Sequence, residues 1–178
     1  MRRILIIGPS GSGKSWLAQK VGSGLGLEVI HLDKVYWQPG WTAPDTTTWR
    51  ERVTDLTAGD AWVMDGNYNR TLPARLQRAH AIIWLDLPRR IYFPRAVWRS
   101  LRHYGRVRQD SAEGCPERLD PDFICKYVWT YPQRRDQDAA LMAGLPPHVR
   151  GFALRSRRDV RQFVAGLPGS IIGPPFAK

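Results

Sequence analysis

Residues 8–15 read Gly8-Pro9-Ser10-Gly11-Ser12-Gly13-Lys14-Ser15 and fit the pattern GxxxxGK[ST] without a gap. The apolar run at 3–7 before them shows no alternation, which predicts a strand buried on both faces. The residues after them, 15–21, predict a helix. A glycine-rich loop in this context turns backbone N–H groups and a helix N-terminus toward a phosphate. We therefore predict a nucleotide phosphate-binding loop, in which Lys14 reaches the β- and γ-phosphates and the Ser15 hydroxyl ligates Mg²⁺.

Strand and helix patterns alternate along the rest of the chain. Further strands are predicted at 27–31, 61–65, 80–87 and 149–154, and helices at 47–56, 89–104, 122–142 and 157–167. A capping box of Thr48 and Glu51 is expected at the start of the helix at 47–56. The alternation predicts a three-layer α/β fold, a five-stranded parallel sheet with helices on both faces. We expect a single domain over 1–178, with a lid-like insertion at about 99–135 and an irregular tail at 168–178.

The composition of the 178 residues excludes several classes of protein. Hydrophobic residues make up 43%, which suits a folded core, and the longest apolar runs are too short to span a bilayer. No signal-peptide pattern is present, and the two cysteines, Cys115 and Cys125, give no thiolate zinc site. We expect a cytoplasmic protein without a membrane partner, and the oligomeric state stays open.

The net charge of +11 predicts anionic partners. Seven arginines and no acid lie between positions 89 and 108, so most of the excess is in one segment. Four of them, spaced 4, 3 and 4 apart, share one helix face: Arg95, Arg99, Arg102 and Arg106. That face either contacts phosphate groups or is solvated, and the absence of neutralising acids favours phosphate. Arg134 and Arg135 form a second, weaker pair.

Three aspartates follow predicted strands, where ligands bind in open α/β sheets. Asp65 is a candidate Mg²⁺ ligand, with a simple turn before Gly66 as the alternative. Asp33 is a candidate for binding or deprotonating an acceptor hydroxyl, with a helix or turn cap as the alternative. For Asp86 the cap is favoured.

Aromatic residues and one further arginine surround these positions. Tyr36, Trp37 and Trp41 follow Asp33 and form either a stacking wall for an acceptor ring or a packing cluster. Arg70 could clamp an anionic group of an acceptor. Four tryptophans within predicted elements are expected in the core: Trp16, Trp62, Trp84 and Trp98.

These motifs resemble the adenylate-kinase-like P-loop kinases, and in particular their bacterial relatives called DNA topology modulation proteins (FlaR-type). The resemblance rests on the phosphate loop, on Leu32-Asp33-Lys34-Val35-Tyr36-Trp37, on Trp62-Val63-Met64-Asp65-Gly66-Asn67-Tyr68 and on Leu154-Arg155-Ser156-Arg157. It covers roughly residues 3 to 166.

The resemblance implies a role for each matching position. ATP phosphates and Mg²⁺ would bind at 8–15, Asp33 would contact the acceptor, and Arg157 would lie near the adenine. Arg95 and Arg99 would touch phosphates, and Arg134 or Arg135 would act from the lid. Asp65 matches the aspartate of the Asp-Gly-Phe-Pro-Arg motif, but Asn67-Tyr68-Asn69 interrupts that motif before Arg70, which weakens the case for AMP as acceptor.

The sequence thus predicts a phosphotransferase that uses Mg-ATP and a small-molecule acceptor. The expected catalytic residues are Lys14, Asp33, Arg95, Arg99, Arg134 and Arg135, and the expected acceptor-binding residues are Asp33, Tyr36, Trp37, Asp65 and Arg70. The expected metal ligands are Ser15 and Asp65. The alternatives are a nucleic-acid-binding regulatory ATPase, which would use the arginine segment on DNA, and a nucleotide sensor without turnover.

Overall fold

A computed structural model describes residues 1–167, and the predicted irregular tail lies outside the described residues. Within that range five strands form one parallel sheet in the order β2-β3-β1-β4-β5. The strands are β1 (Arg3–Ile7), β2 (Val29–His31), β3 (Trp62–Asp65), β4 (Ala81–Leu85) and β5 (Arg150–Leu154). The predicted α/β class with a five-stranded parallel sheet is confirmed.

Helices cover both faces of this sheet. They are α1 (Lys14–Leu25), α2 (Leu32–Tyr36), α3 (Thr46–Ala58), α4 (Leu72–Arg78), α5 (Arg89–Arg102), a π-helix (Phe123–Trp129), α6 (Tyr131–Ala143) and α7 (Arg157–Ala165). Alternate residues of the central strand β1 point to opposite layers. Ile4 and Ile6 join a core cluster with α1 and α7, whereas Leu5 and Ile7 join one with α3 and α4. The sheet is therefore the middle of three layers.

Several element boundaries differ from the prediction. The short helices α2 and α4 were not predicted, because five and seven residues are too few for a helical period to stand out. The long helix predicted at 122–142 is wrong. It divides at Thr130 into the π-helix and α6, and Pro132 lies in the first turn of α6, where its missing N–H costs no helical hydrogen bond.

Two predicted caps are also wrong. Asp45 caps α3 by accepting hydrogen bonds from the backbone N–H groups of Thr47 and Thr48, so Thr48 and Glu51 are not its capping box. Asp86 does not cap α5, which begins after Pro88 without a side-chain cap. Asp86 instead forms an ion pair with Arg135.

The tryptophans divide between core and surface. Trp62 and Trp84 are buried as predicted, whereas Trp16 and Trp98 are 48% and 63% exposed, so the prediction was wrong for those two. None of the helices in residues 1–167 combines the length and apolar character that crossing a bilayer requires.

Candidate functional site

The predicted phosphate loop joins β1 to α1 at the carboxyl edge of the sheet. Gly11 has φ +80°, and a Cβ there would lie 2.2 Å from the carbonyl oxygen of Tyr92 on α5. Only glycine allows that approach, so α5 lies against the loop. Gly13, also at positive φ, precedes Lys14, the first residue of α1.

The Lys14 side chain contacts the backbone of the loop. Its Nζ donates to the carbonyl oxygen of Pro9 at 3.0 Å. Burial lowers the pKa of Lys14, while Asp33 and Asp65 act in the opposite direction. The amine therefore lies near two carboxylates in a partly buried place, where a phosphate would be a strong partner.

Ser15 and Asp65 lie together, as a shared magnesium site requires. Ser15 Oγ donates to Asp65 Oδ2 at 2.9 Å, and Asp65 Oδ1 lies 2.6 Å from His31 Nδ1. That hydrogen bond raises the pKa of His31. Hydroxyl and carboxylate oxygens suit Mg²⁺, which proteins hold with one or two carboxylates plus substrate phosphates. Residues 1–167 contain no cluster of three His, Cys, Asp or Glu able to hold a metal alone. The donor set fits a magnesium ion that arrives with a nucleotide.

Asp33 lies in the first turn of α2 and does not cap it, because the N-cap residue is His31. Its exposed carboxylate accepts a hydrogen bond from the Tyr68 hydroxyl at 2.7 Å. Burial, followed by the negative charge of Asp33, raises the pKa of that hydroxyl, so Tyr68 stays a neutral donor. Within residues 1–167 no hydrogen bond to Asp33 Oδ2 is present, which leaves this oxygen for a second partner.

The loop after β3 is held by two residues that the sequence analysis did not single out. Asn67 exchanges two hydrogen bonds of 3.0 Å with the backbone of Gly8 and so ties this loop to the phosphate loop. Arg75, fully buried on α4, donates to the carbonyl oxygens of Gly66, Asn67 and Tyr68. Burial lowers the pKa of Arg75 to about 9. These bonds hold the Tyr68 backbone at a positive φ of 35°, with its hydroxyl directed at Asp33.

The arginine segment is only partly directed at the site. Arg95 and Arg99 line the same cavity as the phosphate loop, and Arg99 donates to Ser10 Oγ at 3.1 Å. Arg102 and Arg106 are exposed and do not line the cavity, and α5 ends at Arg102, so Arg106 is not on the predicted helix face.

The sequence analysis did not predict a cluster of paired charges around Glu117, within the segment predicted to be a lid. Glu117 is buried, accepts a hydrogen bond from Ser100 Oγ at 2.8 Å, and lies 2.7 Å from Arg108 Nε and 3.8 Å from Arg99 Nε. Arg108 also pairs with Asp110 at 3.0 Å. Burial alone would raise the pKa of Asp110, but the neighbouring charge of Arg108 lowers it overall. The segment predicted to be a lid therefore lines the cavity with paired charges.

The remaining predicted residues divide between the cavity and its surroundings. Tyr36, Trp37 and Arg134 line the cavity. Arg135 lies outside the lining and forms a two-pronged ion pair with Asp86, with both N···O distances 2.7 Å. Arg70 is exposed and also outside the lining. Arg157 does not line the cavity, but its charge acts with burial to lower the pKa of Arg95.

The cavity that joins these groups has a volume of about 790 Å³. Among the residues that the structure describes, its lining carries six basic and six acidic side chains. The acidic ones are Asp33, Asp65, Asp110, Glu117, Asp120 and Asp138. The cavity is thus balanced in charge, whereas the arginine-rich sequence suggested a strongly positive site.

Comparisons with known proteins support a P-loop kinase-like fold. The chain resembles shikimate kinase from Acinetobacter baumannii with a TM-score of 0.61 and 16% identity, covering 97% of this chain and 93% of that one. It resembles a gluconokinase from Sinorhizobium meliloti 1021 with a TM-score of 0.56 and 14% identity, covering 96% and 91%. Shikimate kinase from Aquifex aeolicus vf5 gives a TM-score of 0.56 and 14% identity, covering 97% and 99%.

The comparison by sequence is more limited. No protein-family model matches the chain. An adenylate kinase from Clavibacter michiganensis subsp. michiganensis is 32% identical over 81 residues, which is 46% of this chain. The match spans 39% of that relative's length. The kinase-like fold is thus established, while the resemblance to the DNA topology modulation proteins stays a prediction.

Proposed function

We propose that this protein transfers the γ-phosphoryl group of Mg-ATP to the hydroxyl group of a small molecule. The observation that carries the proposal is that one cavity is lined by both Lys14 of the phosphate loop and the exposed carboxylate of Asp33. The similarity to an adenylate kinase and to solved structures of other small-molecule kinases is consistent with this activity.

The donor would bind at the phosphate loop. Backbone N–H groups of 8–15 would surround the β- and γ-phosphates, with Lys14 between them. Arg99, which already contacts Ser10, and Arg95 would stabilise charge on the transferring group, and Arg157 would lie on the adenine side. Ser15 and Asp65 would hold magnesium, which supplies neutralising charge to the phosphates when bound.

The acceptor would bind beside Asp33. Its hydroxyl would donate to Asp33 Oδ2 while Tyr68 holds Oδ1, so the attacking oxygen is oriented toward the γ-phosphorus. Tyr36 and Trp37 would contact the rest of the acceptor.

We further propose that the chain is one domain in which residues 99–135 act as a lid. Arg134 lines the cavity from α6, and Arg108 and Glu117 reach it from the connecting loop. Movement of this segment would admit substrates and then exclude water, which would otherwise accept the phosphoryl group.

Replacement of Lys14 tests the proposal. In Lys14→Ala the transferring group loses a preorganised cation, and we expect acceptor-stimulated ADP production to fall by about 100-fold or more. Lys20→Ala, an exposed position on the same helix, is the matched control. The substrates to screen with Mg-ATP are small hydroxylated metabolites and nucleosides. Unchanged ADP production in a folded Lys14→Ala variant would contradict the assignment.

A further inference from the structure

Aromatic side chains line the half of the cavity around Asp33. We define the acceptor half by the aromatic residues that line the cavity together with Asp33: Tyr36, Trp37, Trp41, Tyr68, Phe123 and Tyr127. We propose that it binds an uncharged compound whose hydroxyl is carried on a ring, held by ring contacts and not by ion pairs. This inference rests on the proposed function and narrows its substrate class.

Aromatic side chains reach this half from three separate parts of the chain. Trp37 and Trp41 meet edge to face, with ring centroids 5.5 Å apart, and Tyr36 lies 4.7 Å from Tyr68. From the π-helix, Phe123 and Tyr127 stack with centroids 5.3 Å apart and ring planes 17° apart. Both π-helix rings stay more than a third exposed, so their outer surfaces are open to a ligand. Ring faces of this kind bind flat or apolar ring surfaces.

The cations near the acceptor half already have partners. Arg134 lies 4.2 Å from the centre of the Tyr127 ring and donates to the Tyr127 carbonyl oxygen. Arg118 pairs with Asp120 at 3.6 Å and lies 5.6 Å from the Trp41 ring. A phosphate or carboxylate on the acceptor would have to break these contacts before it gained a cation.

The remaining arginines of the cavity have other roles: we assign Arg95 and Arg99 to the donor phosphates, and Arg108 pairs with Asp110 and Glu117. Two further arginines are not available either. Arg70 is outside the cavity lining, and Arg75 is buried with its guanidinium directed at three backbone carbonyls. The Asp33 carboxylate adds a negative charge where the acceptor would bind. Within residues 1–167, an anionic acceptor therefore meets the charge of Asp33 without a cation that is free of other partners or roles, whereas a neutral hydroxyl gains the hydrogen bond to Asp33.

The transfer step balances with such an acceptor. The acceptor oxygen forms a bond to the γ-phosphorus while the bond from that phosphorus to the bridging oxygen of ADP breaks. ADP leaves with the electron pair, and the proton of the acceptor hydroxyl passes to Asp33 Oδ2.

Matched pairs of compounds test the substrate class. Thymidine is compared with thymidine 5′-monophosphate, and glucose with glucuronate, so that each pair keeps its ring and differs in an anionic group. Binding is followed by tryptophan fluorescence with the donor site filled by a non-hydrolysable ATP analogue, and ADP release is measured separately with Mg-ATP. We expect the neutral member of at least one pair to bind roughly tenfold or more tightly than its anionic partner. Thymidine carries a planar base, whereas glucose carries only a sugar ring, so a comparison of the two pairs shows which kind of ring the acceptor half binds.

Variants locate the binding in the acceptor half. Trp41→Leu should weaken binding of the preferred neutral compound, whereas Trp98→Leu, on the exposed side of α5, should not, with thermal unfolding reporting that both fold. Preference for the anionic member, or no binding of either pair, overturns the inference even if ADP is released with another acceptor. Binding of a neutral compound without ADP release supports the substrate class and contradicts the transfer activity itself.

Discussion

At the residue scale, the candidate site depends on single side chains that hold backbone in place. Asn67 joins the loop after β3 to Gly8, and Arg75 binds three successive carbonyl oxygens of that same loop. A buried guanidinium without an acidic partner is costly, and here backbone carbonyls take the place of the carboxylate. These bonds place the Tyr68 hydroxyl within hydrogen-bond distance of Asp33.

Replacement of Arg75 tests this role. In Arg75→Met the carbonyls of Gly66, Asn67 and Tyr68 lose their buried donor, and we expect the free energy of unfolding to fall by about 1–3 kcal/mol. Urea unfolding measures the change, and KM for the acceptor should rise because Tyr68 no longer holds Asp33. Arg78→Met is the control, since Arg78 is exposed on the same helix and also donates to backbone carbonyls. Equal stability of the two variants would refute the role given to Arg75.

A second residue-scale device stabilises the start of α7. Ser156 Oγ accepts from the Asp159 N–H at 3.1 Å, and the Asp159 carboxylate accepts from the Ser156 and Arg155 N–H groups. The Ser156 hydroxyl also donates to Asp159 Oδ1 at 2.6 Å, and this bond, followed by those from the backbone, lowers the pKa of Asp159 below its usual value of 3.8. The stabilisation is therefore present above that value and is lost as the pH falls through the lowered pKa.

Asp159→Ala should consequently lower the free energy of unfolding by about 1 kcal/mol at neutral pH, as expected for loss of a helix cap. The difference from the wild type should shrink as the solution is acidified through the pKa of Asp159. Urea unfolding across the acid range measures both, with Asp55→Ala, exposed on α3, as the control. A difference that stays constant with pH would show that the carboxylate charge plays no part.

At the element scale, α5 and the loop after it form one unit through Glu117. This buried carboxylate accepts from Ser100 of α5 and lies between Arg99 and Arg108. The backbone of the same residue exchanges hydrogen bonds with Gly105 and Arg106. Charge neutralisation by one acid thus holds two cavity-lining arginines close to each other.

Glu117→Gln keeps the size of the side chain and removes its charge. The two arginines then repel each other without a counter-charge, and we expect amides at 105–117 to exchange with solvent faster. Hydrogen exchange with mass spectrometry detects this, and Glu113→Gln, exposed in the same loop, should leave exchange unchanged. If both variants behave like the wild type, Glu117 does not anchor the lid.

At the scale of the whole molecule, the net charge of +11 is divided between site and surface. Of the seven arginines at 89–108, three line the cavity: Arg95, Arg99 and Arg108. The remaining four, Arg89, Arg90, Arg102 and Arg106, are exposed. The exposed group is the part of the charge that the DNA-binding alternative could use.

We expect this surface to bind short duplex DNA only weakly, with affinity at low salt that is lost at physiological salt. Combined replacement of Arg90, Arg102 and Arg106 by serine should reduce the salt dependence by about one counterion for each phosphate contact removed. Fluorescence anisotropy at two salt concentrations measures this, with nucleotide binding as the control for folding. Tight binding at physiological salt would instead favour the regulatory alternative.

Local patterns were sufficient to predict the phosphate loop, its strand and helix, the parallel sheet and the position of Asp65. Each rests on a contiguous run of residues, where hydrophobic periodicity and glycine spacing act directly on the backbone. The short helices α2 and α4 and the division of the helix at Thr130 were not predicted. Elements of one or two turns are stabilised by tertiary contacts more than by their own sequence.

The sequence by itself determined that a loop with the pattern GxxxxGK[ST] follows the first strand, because that pattern is complete within eight consecutive residues. Only the tertiary structure decided which arginines reach the cavity, that Arg75 binds the Tyr68 carbonyl beside Asp33, and that rings from 36–41 and 123–127 line the same cavity. The physical reason is distance along the chain. The Gly8–Asn67 and Tyr68–Asp33 contacts join residues 59 and 35 positions apart, and no local pattern encodes which distant side chains meet when the sheet closes.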